Sequence, residues 1–168
     1  MRLFNGHVKK SVVATAELLE TRRLYAVTLY LLGGTGADNI VVTKSGTNLK
    51  VTINANPTQT IPSASISRIS VSLQGGNDKF TSDNSVTQPM NIDGNFGKDT
   101  ITTGGGADSI FGGNENDRIS GGEGNDTIDG GSGDDTLNGN GGNDSLFDGS
   151  GSDKVFGGTG IDQLDAGL

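Results

Sequence analysis

Cysteine and tryptophan are absent from this 168-residue chain, histidine occurs once, and aromatic residues make up only 5% of it. Without cysteine there is no disulfide to staple a small fold, no thiolate nucleophile and no zinc–thiolate site. The single histidine, His7, makes H-E-x-x-H impossible, and its place near the start denies a Ser-His-Asp triad an ordered scaffold. No serine lies in G-x-S-x-G. Asp126-Thr127-Ile128-Asp129-Gly130 lacks the ligand spacing of an EF-hand loop. Tyr25 and Tyr30 are the only tyrosines, so there is no aromatic platform for a sugar. No apolar run approaches the roughly 20 residues of a membrane-spanning helix. With 31% hydrophobic residues the chain is also thin for an ordinary globular core. Read this way, the chain is not an enzyme.

Positive charge is scarce where negative charge is dense. Residues 1–93 hold 9 Lys/Arg against 6 Asp/Glu, a net +3, whereas residues 94–168 hold 3 against 14, a net −11. So acidic a half excludes nucleic acid and anionic membrane surfaces as partners and favours cations. Paired carboxylates could imitate a glycosidase dyad. However, Glu115, Glu123, Asp129, Asp134, Asp148 and Asp165 read as solvated loop and strand-face residues.

What the second half does contain is one nine-residue unit written eight times without a gap, from Gly94 to Asp165. Each unit has an aspartate at its sixth position: Asp99, Asp108, Asp117, Asp126, Asp135, Asp144, Asp153 and Asp162. Two places later comes an aliphatic residue: Ile101, Ile110, Ile119, Ile128, Leu137, Leu146, Val155 and Leu164. Such a period sets the architecture. Of the 29 glycines, 22 fall after residue 93, so the first six residues of a unit turn tightly. The last three are expected to form a short strand with the aliphatic residue facing in. Identical carboxylates stacked turn on turn repel unless a cation sits between them. That is a metal site made by repetition.

The cleanest unit, GGEGNDTID at Gly121–Asp129, resembles the G-G-x-G-x-D-x-U-x repeat of the repeats-in-toxin (RTX, haemolysin-type) calcium-binding family. A detached copy at Gly33–Val41 (GGTGADNIV) and a degenerate one at Leu73–Thr81 place Asp38 and Asp78 in the aspartate position. The resemblance implies an all-β fold, a right-handed parallel β-roll solenoid with two units per coil. The eight repeat aspartates, with Asp38 and Asp78, are then the candidate metal residues. They form two columns, Asp99/Asp117/Asp135/Asp153 and Asp108/Asp126/Asp144/Asp162. Carboxylates and carbonyls on glycine turns suit Ca²⁺ better than octahedral Mg²⁺, and filling every gap takes roughly six ions. Several units depart from the pattern. Glu115 replaces the fourth-position glycine, and four units open Gly94-Asn95, Thr103-Gly104, Gly139-Asn140 and Asp148-Gly149. Some related repeats bind ice through a ladder of Thr and Asn; the third loop positions here (Phe96, Gly105, Asn114, Glu123, Ser132, Gly141, Ser150, Thr159) form none.

Calcium of this kind implies an extracellular, secreted or cell-surface protein, since weak sites fill only at millimolar calcium. Relatives exported in one step carry a signal after the repeats. The sequence stops three residues past its last unit, so that signal is lacking or the sequence is a fragment. Thr21-Arg22-Arg23 before the apolar run Leu24–Leu32 can be read as a twin-arginine signal. Glu17–Val27 (ELLETRRLYAV) resembles the sorting segment of large exported planctomycete-type proteins. Three regions are expected: a targeting or disordered segment at 1–23, an irregular β segment at 24–93 and the roll at 94–165. Met1–Glu20 is read as disordered or helical.

Within the middle region, Asn39–Lys44 and Asn48–Asn54 alternate in hydrophobicity around Ser45-Gly46-Thr47, a hairpin signal. Ile69, Val71 and Leu73 alternate likewise, with Pro57 and Pro62 in the loop between. The segment is expected to cap the roll, or else to form a small carbohydrate-binding or adhesive β unit. Phe111, Phe147 and Phe156 half-cover the outer faces or mark a partner surface. The whole reads as a calcium-binding structural or surface-interaction module. The alternative is the non-catalytic repeat region of a larger secreted protease, lipase or adhesin.

Overall fold

The computed structural model describes residues 27–167. The candidate segment 1–23, its sorting or twin-arginine motifs and His7 lie outside the described residues. The part of the apolar run within them, Val27–Leu32, is the first strand, with Leu29 and Leu31 in the core.

The strands follow the chain as β1 (Val27–Leu32), β2 (Asn39–Ser45), β3 (Asn48–Ile53), β4 (Gln59–Pro62), β5 (Ile66–Ser72), β6 (Lys79–Ser82) and β7 (Met90–Asp93). The array then adds β8 (Thr100–Thr102), β9 (Ser109–Asn114), β10 (Arg118–Glu123), β11 (Thr127–Ser132) and β12 (Thr136–Gly141). It closes with β13 (Ser145–Phe147), β14 (Lys154–Thr159) and β15 (Gln163–Asp165). The odd-numbered strands other than β3 stack as one sheet, in the order β1-β5-β7-β9-β11-β13-β15. The other sheet runs β14-β12-β10-β8-β6-β2, with β3 and β4 added beyond β2. Pairing is parallel except for β2–β3 and β3–β4. This is a parallel β-solenoid, each coil giving one strand to each sheet.

The register follows the period. Ile119 pairs with Leu137 and Ile128 with Leu146, eighteen residues on. From Ile101 to Leu146 the eighth-position side chains are at most 2% exposed and form the core between the sheets. The last two depart from the expectation that every one is buried: Val155 is partly buried and Leu164 is 52% exposed. β14 and β15 are the last strands of their sheets, so no further described coil covers them. Strands are also longer than the three residues expected. β9 to β12 run on through the opening residues of the next unit, as in the pairing of Gly131 with Gly113. Glycine carries no side chain there, so successive backbones can keep pairing.

The two sheets pass through residue 93 without interruption. The β2–β3 hairpin turns at Gly46-Thr47 in the register Ser45 to Asn48, and Gly46 takes φ 60. Strands before the array bury two or three apolar side chains each in the first sheet: Leu29/Leu31, Ile66/Ile69/Val71 and Met90/Ile92. Each fully buried aliphatic side chain contributes about 1.5–3 kcal/mol. The front coils therefore hold more hydrophobic stabilisation per strand than the repeat coils.

Candidate metal centre

The turns between sheets bring the predicted aspartates into two ladders. In the first, the backbone N–H of Asp99 donates to Oδ1 of Asp117 at 2.8 Å, Asp117 to Asp135 at 2.7 Å and Asp135 to Asp153 at 2.7 Å. In the second, Asp108 donates to Asp126 at 2.9 Å, Asp126 to Asp144 at 2.8 Å and Asp144 to Asp162 at 3.0 Å. Asp78 and Asp38 extend the first ladder, the N–H of Asp78 bonding Asp99 at 2.8 Å and that of Asp38 bonding Asp78 at 2.6 Å. Their separations of 21 and 40 residues hide this in the sequence. The β3–β4 excursion lengthens one coil and the loop before β7 the other.

Within the repeat array most of these carboxylates accept on one oxygen only. The Oδ2 atoms of Asp99, Asp108, Asp117, Asp126, Asp135 and Asp144 are buried with no hydrogen-bond partner, and none of these residues is more than 3% exposed. Such an atom is costly to bury uncompensated. In Asp99, Asp117, Asp126, Asp135 and Asp144 it points to where the unit's opening glycine lacks a Cβ. A Cβ on Gly112 would lie 2.6 Å from Oδ2 of Asp117 and 2.5 Å from the carbonyl oxygen of Gly130 in the next coil. At Gly130 the same place meets Oδ2 of Asp135 at 2.7 Å and the Asp148 carbonyl at 2.6 Å. Glycine leaves room for a carboxylate oxygen and a carbonyl oxygen to converge. Among the described residues no group of three acidic or imidazole side chains gathers at one point. The donor set is therefore sparse in side chains and rich in backbone oxygen, which suits a hard cation with flexible coordination.

Burial dominates the protonation of these groups. It pushes Asp99, Asp117 and Asp126 up to about 7 and Asp135 up to about 6, against the opposing effect of the N–H each accepts. Neighbours in the ladder add like-charge repulsion. Asp108 and Asp144 are raised by burial as well. A cation between coils reverses this, because it favours the charged form. At the last coil Asp153 and Asp162 are half-buried and nearer to water.

The ladders end differently, and sequence patterns did not reveal how. Asn54, at φ 50 after β3, accepts the N–H of Asn39 at 2.7 Å and donates its amide to Asp38. A neutral amide thus caps the first ladder. In the second, Met90 occupies the aspartate position, its N–H bonding Oδ1 of Asp108 at 2.7 Å. Ile69 and Leu29 continue that line, fully buried. The only signal for either end was an interruption of the motif.

Glu115 stands where other units carry glycine and adopts φ 74, while Gly124, Gly133 and Gly142 take φ of 116 to 132. A non-glycine residue in a sparsely populated left-handed conformation costs about 1–3 kcal/mol. Its charge also adds to the repulsion on Asp99 and Asp117. Glu115→Gly is therefore expected to stabilise the folded chain by about 1 kcal/mol, net of the extra freedom glycine gains when unfolded. Denaturant midpoints check this, and a lowered midpoint would refute it.

Parallel coils with carboxylate ladders along the sheet-connecting turns define a β-roll built of acidic nonapeptides. Residues 93–128 and 129–164 each match the family described as RTX calcium-binding nonapeptide repeat (4 copies), so the array is made of RTX repeats. No curated protein and no solved structure matches the chain. Repeats of this family bind calcium, and the fold they build is a structural one. Among the described residues no helix is long and apolar enough to cross a membrane.

Proposed function

We propose that the chain is a secreted or cell-surface module that folds around several calcium ions and then serves as a rigid structural or interacting element. The observation that carries this reading is the row of buried carboxylate oxygens without a partner, those of Asp99, Asp117, Asp135 and Asp144 each facing a carbonyl of the following coil. The proposed ligands are the side chains of Asp99, Asp108, Asp117, Asp126, Asp135, Asp144, Asp153 and Asp162, with Asp38 and Asp78 extending the first ladder. Calcium supplies the positive charge that lets these oxygens stay ionised while buried. Glycine turns supply neutral carbonyl ligands, and the coils supply the fixed spacing. The segment ahead of the array acts as its hydrophobic base. Chemistry on a substrate has no place in the assignment, since every regularly spaced carboxylate is engaged.

Equilibrium dialysis against millimolar calcium tests the reading. Several ions per chain are expected to be retained, with magnesium at equal concentration failing to displace them, because its octahedral demand is poorly met by this donor set. A chain that retains no calcium under these conditions would overturn the assignment.

A further inference from the structure

The two outer faces of the roll carry ladders that the calcium reading does not use. Along the first sheet, the ninth positions stack as Asp93, Phe111, Asp129, Phe147 and Asp165, each paired with the next through adjacent strands. Along the second sheet, the seventh positions stack as Lys79, Thr100, Arg118, Thr136 and Lys154. One ladder alternates acid with phenylalanine, the other cation with threonine, and both have five rungs. Charged rungs recur every second strand on each, about 9.5 Å apart. The second sheet's seventh and ninth positions from β6 to β14 hold no acid, and those of the first sheet from β7 to β15 hold no base. None of these charged side chains forms an ion pair with another described residue. Phe111 is 43% exposed and Phe156, at the end of the basic face, is 56% exposed.

We propose that the acidic, phenylalanine-bearing face of one copy packs on the basic, threonine-bearing face of a second copy. The repeat that sets the ladder period on one sheet sets it on the other, so aspartate meets lysine or arginine while phenylalanine meets the threonine methyl. An acid–Phe–acid–Phe–acid order reads the same in both directions, so copies match whether they run parallel or antiparallel. An acidic polysaccharide would satisfy the cations but leave the Asp/Phe ladder without a role. A second copy uses both. The contact is heterologous and leaves a free face at each end, so copies add in a stack rather than closing as a dimer. Five rungs of strands three to six residues long offer roughly 250–500 Å² per partner, below the roughly 800 Å² of a stable interface. Single contacts are therefore weak and sensitive to salt.

Sedimentation velocity of the full chain in calcium tests this. The apparent mass is expected to rise with concentration at low salt and return to that of one chain at about 1 M salt, where charges more than about 3 Å apart are screened. The variant Lys79→Glu/Arg118→Glu/Lys154→Glu is expected to stay monomeric, and so is Asp129→Lys/Asp165→Lys. Mixing the two is expected to restore association, since the acidic new face of one meets the basic new face of the other. Far-UV circular dichroism in calcium shows that each variant has folded, and the salt response of the unaltered chain stands without them. A monomer at every concentration in low salt would overturn the proposal. So would folded variants that stay apart when mixed, or a chain that remains monomeric while its basic face binds heparin.

Discussion

Stripping calcium at about pH 8 is expected to abolish the β signal of the array and expand the chain, because buried like charges then face one another without a counter-ion. Residues 94–168 carry a net −11 on a core of one aliphatic side chain per unit. Residues 27–93 carry four charges of each sign and bury two or three apolar side chains per strand in the first sheet. Loss of amide protection is therefore expected to concentrate after Asp93. Acid should partly reverse the loss. In the metal-free roll, Asp99, Asp117 and Asp126 titrate near about 7, against about 3.9 in an unfolded chain. The folded form then binds more protons than the unfolded one between about pH 4 and 7, so its stability is full below that window and is lost as pH rises through it. With calcium bound the sign is opposite, because protons compete with the ion for the same oxygens. Melting curves at about pH 5 and 8, with calcium and after its removal on an exchange resin, should cross. A complete roll in excess chelator at about pH 8, or pH slopes of the same sign in both states, would sink this account.

Replacing Asp126 should cost the calcium-bound protein far more than replacing Asp162. Asp126 accepts the N–H of Asp108 on Oδ1 and donates its own N–H to Oδ1 of Asp144, so it borders two gaps. Asp162 borders one. A site held at a hundredfold excess over its Kd adds about 2.7 kcal/mol, so Asp126→Ala forfeits about 5 kcal/mol against about 3 for Asp162→Ala. Both lose a backbone N–H acceptor, but Asp162 is half-buried and water can replace it there. Asp126→Asn gives a sharper result. It removes charge while keeping shape, so it should destabilise the calcium-bound chain and stabilise the metal-free one. Calorimetry with and without calcium reads both signs. Equal losses for the two alanine variants, or a destabilising Asp126→Asn in the absence of calcium, would argue against ions lying between coils.

Much of this was legible in the residues. A strict nine-residue period with one aspartate and one aliphatic side chain per unit determined a parallel roll with acid ladders, because only stacking aligns identical positions. The resemblance to RTX repeats, with two units per coil, implied that Asp99 lies over Asp117 and Asp108 over Asp126. The hairpin at Gly46-Thr47 followed from alternation and a glycine turn. Other features depend on coils of unequal length, and no periodicity survives an insertion. Asp38 and Asp78 join the first ladder because the β3–β4 excursion and the loop before β7 leave the sheets in register. Asn54 and Met90 end the ladders because chain remote in sequence folds against them. The opposition of an acidic face and a basic one likewise appeared only when strands eighteen and more residues apart were laid side by side. Local sequence determined what each coil is; tertiary stacking decided which coils meet, because cross-coil pairing joins residues that local patterns never compare.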